Sequence, residues 1–179
     1  MMLNRLVLAG IVTAFLPMLA SAADPSPDPS TGVVSSQQIE QALQPPKRTR
    51  GLTRTDTNEA PPAPPSMNLN IPFEHNSSAI GPKAEAQLKE LRTALVSPSY
   101  VKDRFEVAGH TDAQGNPAYN KQLSAKRAEA VKHYLVANGV DAGRLTATGF
   151  GSEHLLAPDR PDDPSNRRVE IRNLGSATQ

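Results

Sequence analysis

The chain has 179 residues and a formal net charge of +1, with 17 prolines, 4% aromatic residues and no cysteine. A charge this close to zero gives no strong basic field for nucleic acid, and the lack of cysteine excludes disulfides, thiolate metal sites and a lipid attached through cysteine. The proline content is too high for one compact domain throughout, so we expect a folded part and an extended part.

Residues 1–22 have the pattern of a secretory signal peptide. Arg5 supplies a positive start, an apolar run extends from Leu6 to Ala20, and small residues follow up to Ala22. The apolar run is shorter than the roughly 20 residues that a helix needs to span a bilayer. We therefore expect export with cleavage near Ala22, and the alternative is an uncleaved anchor in the inner membrane.

Residues 23–66 are predicted to form a proline-rich, disordered linker. Proline clusters near both ends of this range cannot form hydrogen-bonded ladders and favour an extended chain. Between them, Ser36–Leu43 can form two turns of helix, which is too short to persist alone. The basic run at 47–50 is either a solvated patch or a docking segment for a partner. Some 40 residues of extended linker would reach at most about 140 Å.

Residues 67–175 are predicted to fold as one α+β domain, followed by a tail at 176–179. Apolar residues alternate over 67–73, the period of a strand with one buried face, and Pro72 indicates an edge position or the last residues of the strand. A helix with an apolar stripe begins at Pro82 and ends before a second proline.

A second helix and three more strands complete the predicted domain. Strands are expected at 104–109, 145–149 and 169–171. Asn116 caps the second helix with a proline at its first position, and an Asn-Gly pair at 138–139 ends it. The order β-α-β-α-β-β predicts a sandwich with two main helices on a four-stranded mixed sheet.

The second helix carries an arginine on the face that should pack against the sheet. Leu123, Val131 and Leu135 form an apolar ridge with a spacing of four, and Arg127 occupies its missing position. A buried guanidinium is costly unless it is paired, and arginine cannot escape by losing its proton. Either the chain or a ligand must supply an anion.

Asp112 is the candidate anion. It follows the second strand, at the kind of strand end where sheet proteins collect ligands, and Asn120 can point toward the same loop from the helix. Asp112 and Arg127 could pair as a structural salt bridge. They could also stay a few ångströms apart and bind a zwitterion, with Asp112 accepting from an ammonium and Arg127 donating two hydrogen bonds to a carboxylate. The spacing leaves both arrangements open.

A series of short motifs with fixed spacing runs through the folded part: Gly109-His110-Thr111-Asp112, Gly115, Tyr119-Asn120, Leu123-Ser124, Arg127-Ala128, Val131 and Asn166-Arg167-Arg168-Val169-Glu170-Ile171. Together they resemble the OmpA-like C-terminal domain. This family includes the periplasmic domains of outer-membrane protein A, the peptidoglycan-associated lipoprotein and the flagellar stator protein MotB. The resemblance covers about residues 68–174.

The resemblance implies non-covalent binding of peptidoglycan through the meso-diaminopimelate of its stem peptides. The family's ligand-binding aspartate and arginine fall on Asp112 and Arg127, its pocket asparagine falls on Asn120, and we include the neighbouring Thr111 among the ligand-binding residues. The free end of diaminopimelate carries an ammonium and a carboxylate, so the resemblance favours the open arrangement. It also implies a periplasmic or outer-membrane-associated protein of a Gram-negative type of bacterium. Arg168 is interpreted as structural, and ligand binding is the alternative.

No catalytic residue, metal or cofactor is expected. No two histidines lie on a helix at metal-ligand spacing, and Asp112 has no second carboxylate for glycan cleavage. His110 is interpreted as a packed residue that fixes the loop. The sequence therefore predicts a binding protein and not an enzyme.

The expected partner is peptidoglycan, and no binding of nucleic acid is expected. A homodimer would raise retention on the wall through effective concentration. The alternative function is that of a periplasmic adaptor or scaffold, which docks another envelope protein through the linker while wall binding is secondary. Its motivation is the basic run at 47–50 together with Ile39 and Leu43.

Overall fold

The computed structural model describes residues 32–45 and 63–176. The predicted signal peptide and the basic run at 47–50 lie outside these residues. None of the described helices is both long and apolar enough to cross a bilayer.

Three helices and a four-stranded mixed sheet form the described part, which confirms the α+β class and the predicted strand and helix order. The helices are α1 (Ser36–Leu43), α2 (Pro82–Leu95) and α3 (Pro117–Ala137), and the strands are β1 (Ser66–Leu69), β2 (Asp103–His110), β3 (Leu145–Gly151) and β4 (Val169–Ser176). The sheet therefore starts one residue before the predicted domain boundary and includes Ser176, which was predicted to belong to the tail.

The sheet has the strand order β1-β4-β2-β3. Strand β4 is antiparallel to both of its neighbours, and β2 is parallel to β3. Because β2 and β4 run in opposite directions, the end of β2 lies beside the start of β4, and the backbone N–H of His110 donates to the carbonyl of Arg168 at 3.0 Å. This pairing brings the residues just before β4 next to the loop that follows β2.

Strand β1 is an edge strand, as Pro72 predicted, but it is shorter than the predicted 67–73. It pairs with β4 only as far as Leu69, which lies opposite Val169. Proline has no N–H for a ladder, so the chain leaves the sheet before Pro72. The residues that follow Leu69 are consequently available to line a cavity.

Helix α3 packs on β2 and β3, and two glycines allow its close approach. A side chain at Gly109 would collide with the backbone of Ser124, and one at Gly149 would collide with the backbone of Ala125. The fully buried core contains Leu88, Leu91, Leu95, Phe105, Val107, Val131, Leu135 and Ile171. The close contact holds the first half of α3 against the ends of these two strands.

Helix α1 shows that the linker prediction for 23–66 is wrong over Ser36–Leu43. Ile39 and Leu43 are 0% exposed and belong to the hydrophobic core of the domain. The side chain of Gln87 in α2 accepts from the backbone N–H of Val34 at 2.8 Å and donates to its carbonyl at 3.0 Å. A helix of eight residues is marginal in isolation, and burial against the domain supplies the missing stability.

Asn173 in β4 holds the chain where it leaves α1 and again where it enters β1. Its side-chain Nδ2 donates to the carbonyl of Leu43 at 3.0 Å, and its backbone N–H donates to the carbonyl of Pro65 at 2.8 Å. Leu43 and Pro65 are 22 positions apart in the sequence. They nevertheless meet the sheet at the same residue.

Candidate functional site

A cavity of about 530 Å³ lies at the end of β2, between the loop after β1, the start of α3 and the segment before β4. All four residues predicted to bind a ligand line it, namely Thr111, Asp112, Asn120 and Arg127. Asp112 is the only carboxylate among the lining residues, which also include the arginines at 167 and 168. The cavity therefore has an excess of positive charge.

Arg127 is buried and forms no ion pair with a carboxylate among the residues that the structure describes. Its Nε donates to the carbonyl of Ser77 at 2.9 Å, its Nη2 lies 3.3 Å from the carbonyl of Glu74, and its Cζ lies 5.0 Å from the centre of the Phe73 ring. Burial lowers the pKa of Arg127, and the positive charge of Arg167 lowers it further. Arginine still keeps its proton, so a charged guanidinium without an ion pair among the described residues borders the cavity.

Asp112 pairs with Arg167 and not with Arg127. Its Oδ2 lies 2.7 Å from Nη1 of Arg167, and its Oδ1 accepts a long hydrogen bond of 3.4 Å from the backbone N–H of Gln114. The first of the two arrangements, a structural salt bridge between Asp112 and Arg127, is therefore wrong.

The pairing of Arg167 with Asp112 was not predicted from the sequence. It precedes β4 and lies 55 residues from Asp112, so no local pattern connects the two side chains. Only the antiparallel pairing of β4 with β2 brings them together.

Thr111 and Asn120 hold the backbone of the loop that carries Asp112. The hydroxyl of Thr111 donates to the carbonyl of Asp112 at 2.8 Å, and Nδ2 of Asn120 donates to the carbonyl of Gln114 at 2.8 Å. Both side chains thereby fix the direction in which Asp112 points. A direct contact of either residue with a ligand stays a prediction.

His110 is a buried residue at the back of the cavity, as predicted. Its ring stacks on Phe150 with centroids 5.5 Å apart, and its Nε2 lies 3.3 Å from Oε2 of Glu170. Burial, with the nearby charge of Arg168, lowers the pKa of His110 to about 4. The imidazole is therefore neutral at physiological pH.

Arg168 has the structural role that the sequence predicted. Its Nε donates to Oδ1 of Asn68 in β1 at 2.8 Å, and its Nη2 lies 3.2 Å from the carbonyl of His154. These bonds tie the start of β4 to its neighbours. Among residues 32–45 and 63–176, no three metal-ligating side chains are grouped so that they could hold an ion.

The chain belongs to the OmpA family, because the model of that family matches residues 72–169, just over half of the sequence. It is 37% identical over 106 residues to outer membrane porin F of Pseudomonas fluorescens, which covers 58% of this chain and 32% of the porin. It is 33% identical over 121 residues to outer membrane protein A of Klebsiella pneumoniae, which covers 62% of this chain and 35% of that protein.

The chain spans only a minor part of the curated relatives that it matches. A further relative, photosystem I P700 chlorophyll a apoprotein A2 of Gloeobacter violaceus, is 38% identical over 125 residues, which make up 63% of this chain but only 14% of that protein. The likeness is therefore to one region of each relative.

Solved structures share the fold. The periplasmic domain of Helicobacter pylori MotB has a TM-score of 0.55 and 25% identity, with 66% of this chain and 88% of that chain covered. The cell wall anchor of the type VI secretion system from Pseudomonas aeruginosa has a TM-score of 0.50 and 28% identity, with 64% and 80% covered. The family is associated with the cell envelope, and the second of these two neighbours is a cell wall anchor.

Proposed function

We propose that this domain binds peptidoglycan non-covalently through the meso-diaminopimelate of its stem peptides, and that it thereby anchors or stabilises the cell envelope in the periplasm. The observation that carries the proposal is that Asp112 and Arg127 line one cavity without pairing with each other. Two fixed charges of opposite sign that do not pair with each other can bind the ammonium and the carboxylate of a zwitterionic ligand.

Asp112 has capacity left for the ammonium of diaminopimelate. A carboxylate offers about four acceptor sites, and the described contacts of Asp112 use one oxygen for Arg167 and the other for a long bond from Gln114. An ammonium that donates to the free positions forms a charge-assisted hydrogen bond, with a net contribution of roughly 1.5–3 kcal/mol. Asp112 as a whole residue is 8% exposed, so that bond would form partly out of water.

Arg127 has capacity left for the carboxylate of the same ligand. Its Nε and Nη2 contact backbone carbonyls, whereas its Nη1 forms no hydrogen bond with the described residues. The contacts with Ser77 and Glu74 also fix the direction of the guanidinium before a ligand arrives. A side chain that is already ordered loses little conformational entropy on binding.

Co-sedimentation with sacculi that contain diaminopimelate tests this proposal. Asp112→Asn removes the charge at nearly constant shape, and Arg127→Ala removes the guanidinium, so each variant should lose at least tenfold in affinity. Asp162→Asn and Arg104→Ala are matched controls, because both residues are exposed and form no ion pair with the described residues. Circular dichroism checks that each variant is folded. Sedimentation of Asp112→Asn at the wild-type level would refute the site.

Two features of the sequence motivate the adaptor function, and one of them is not available to a partner. Ile39 and Leu43 were candidates for contact with a partner, but both are fully buried in the core of this domain. The other support, the basic run at 47–50, lies outside the described residues. Replacing that run with alanine and comparing the envelope proteins that co-purify with each chain tests the alternative. If the same envelope proteins co-purify with both chains, the adaptor function has no remaining support.

A further inference from the structure

A second, smaller concavity of about 260 Å³ opens beside the cavity that contains Asp112 and Arg127. One wall is the loop at 76–78, and the other is the outer face of α3 with Tyr119, Gln122 and Lys126. The two cavities share Asn76 and Leu123 as lining residues. A ligand that fills the first cavity can therefore continue into the second without leaving the surface.

The wall formed by α3 presents side chains at the spacing of one helix face. Tyr119, Gln122 and Lys126 are at positions i, i+3 and i+7, and all three are exposed. Lys121 and Lys132 on the same helix form ion pairs with glutamates, whereas Lys126 has no carboxylate partner among the described residues. Within the described part of the chain, the second cavity thus contains one unpaired cation.

The opposite wall is fixed by a residue of the first cavity. Nε of Arg127 donates to the carbonyl of Ser77 at 2.9 Å, so the guanidinium that borders the first cavity also holds the loop that borders the second. Asn76 in that loop has a φ of 52°, a left-handed conformation that asparagine tolerates better than most residues. The separation of the two walls is therefore set before any ligand binds.

The lining groups suit a short peptide that carries a free carboxylate. The side-chain amides of Asn76 and Gln122 can each donate to and accept from peptide groups, and the ammonium of Lys126 can pair with a carboxylate. Apart from Lys126, the lining residues are uncharged. The part of a stem peptide that lies next to diaminopimelate belongs to this class of ligand.

We propose that the second cavity binds this flanking peptide, and that Lys126 recognises the α-carboxylate of the γ-linked glutamate that precedes diaminopimelate. The inference rests on the proposed function, because it places diaminopimelate in the first cavity. The free end of diaminopimelate is joined to this glutamate through the diaminopimelate side chain and a γ-amide, and this flexible link can pass between two cavities that share lining residues. The domain then reads a peptide segment and not only one amino acid.

Calorimetry with the full chain at fixed salt tests the proposal with three ligands. These are free meso-diaminopimelate, the tripeptide L-alanyl-γ-D-glutamyl-meso-diaminopimelate, and the same tripeptide with the glutamate α-carboxylate amidated. We expect the wild type to bind the acidic tripeptide about three- to fivefold more tightly than the amidated one, as is typical of one exposed ion pair. Lys126→Ala should abolish this difference and leave the affinity for free diaminopimelate unchanged. Lys132→Ala, a charge change on the same helix, should keep the difference.

The outcomes separate this inference from the function on which it rests. If none of the three ligands binds the wild type, the proposed function fails and the inference fails with it. If all three bind but amidation costs nothing, only the second site is overturned. Equal weakening of all three ligands by Lys126→Ala would indicate long-range electrostatics and would also overturn it. Lys126-dependent binding of a wall disaccharide without peptide would overturn it as well, because the cavity would then recognise the glycan.

Discussion

Nη1 of Arg167 lies 2.7 Å from Oδ2 of Asp112, and the two side chains are 47% and 12% exposed. The arginine therefore approaches Asp112 from the solvent side, while the carboxylate itself is mostly buried. An ion pair with one partner this exposed contributes little to stability, typically less than about 1 kcal/mol. Arg167 thus steadies the carboxylate without closing the cavity against a ligand.

Arg167→Ala should change the affinity for diaminopimelate by less than about fivefold, because it removes only this partly exposed pair. Asp112→Asn should reduce the affinity at least tenfold, because it removes the charge that the ligand's ammonium requires. Calorimetry with free meso-diaminopimelate measures both. A loss in Arg167→Ala as large as that in Asp112→Asn would make Arg167 itself a primary ligand-binding residue.

The domain should bind walls with lysine at the third stem position more weakly than walls with diaminopimelate. Lysine lacks the carboxylate that Arg127 is proposed to bind, so a buried guanidinium would stay unpaired. The loss of one charge-assisted bond of roughly 1.5–3 kcal/mol corresponds to about a 10- to 150-fold difference. Sedimentation with both kinds of sacculi gives the ratio. The ratio should collapse toward one in Arg127→Ala, and a wild-type ratio of one would contradict the role of Arg127.

Helix α1 should behave as part of the folded domain. Ile39→Ala and Leu43→Ala should each lower the free energy of unfolding by about 2–4 kcal/mol, because both side chains are 0% exposed and each truncation leaves a cavity. Gln41→Ala on the exposed face of the same helix should change it by less than about 0.5 kcal/mol. Urea denaturation measures all three. Equal stabilities would mean that α1 does not contribute to the core.

Gly149→Ala should be strongly destabilising, because the added methyl group would overlap the backbone of Ala125 in α3. Neither the strand nor the helix can move without disturbing the core, so we expect a loss of about 3 kcal/mol or more in the free energy of unfolding. Gly81→Ala is the matched control, because nothing lies within 4 Å of a side chain at that position. A variant at Gly149 with wild-type stability would show that α3 does not lie this close to β3.

The domain should lose stability as the pH falls from about 6.5 to about 4. Burial lowers the pKa of His110 from 6.5 to about 4, so within this window the unfolded chain binds a proton that the folded chain does not. The free energy of unfolding then falls with decreasing pH, by up to about 3 kcal/mol over the window. Below pH 4 the contribution of His110 no longer changes with pH.

His110→Gln isolates that contribution, because it removes the titrating group at the back of the cavity. Its denaturation free energy should lack the slope between pH 6.5 and 4, whereas His133→Gln, at a side chain that is 81% exposed, should keep it. Glu170, which faces His110, has a pKa of about 2; burial alone would raise it, but hydrogen bonds from Arg172 and Ser66 hold it down. Its own contribution to stability is therefore lost only at lower pH, below about 4.5.

The order of strands and helices from β1 to β4 was predictable because local signals mark each element. Pro82 and Asn116 begin α2 and α3 as predicted, with Asn116 accepting hydrogen bonds from two backbone N–H groups. The burial of Arg127 was also predictable, since it interrupts an apolar ridge. Its partners were not, because the carbonyls of Ser77 and Glu74 belong to a loop about 50 residues away.

Two other features depend on contacts between distant parts of the chain. Helix α1 offers only Ile39 and Leu43 as an apolar face, a signal too weak to distinguish a docked helix from a transient turn. The pair of Arg167 with Asp112 follows from the register of β4 beside β2. Sequence spacing predicts neither the docking of a short helix nor the partner of an exposed arginine.

The two bonds formed by Asn173 divide the chain on the N-terminal side of β1 into two lengths. A force applied to the chain before α1 is borne first by the docked helix, and the 21 residues between Leu43 and Pro65 bear it only after that helix detaches. Detachment of α1 would add up to about 75 Å of extended chain before the force reached β1. A load between the N-terminal side and a ligand in the proposed site would therefore be taken up in two stages.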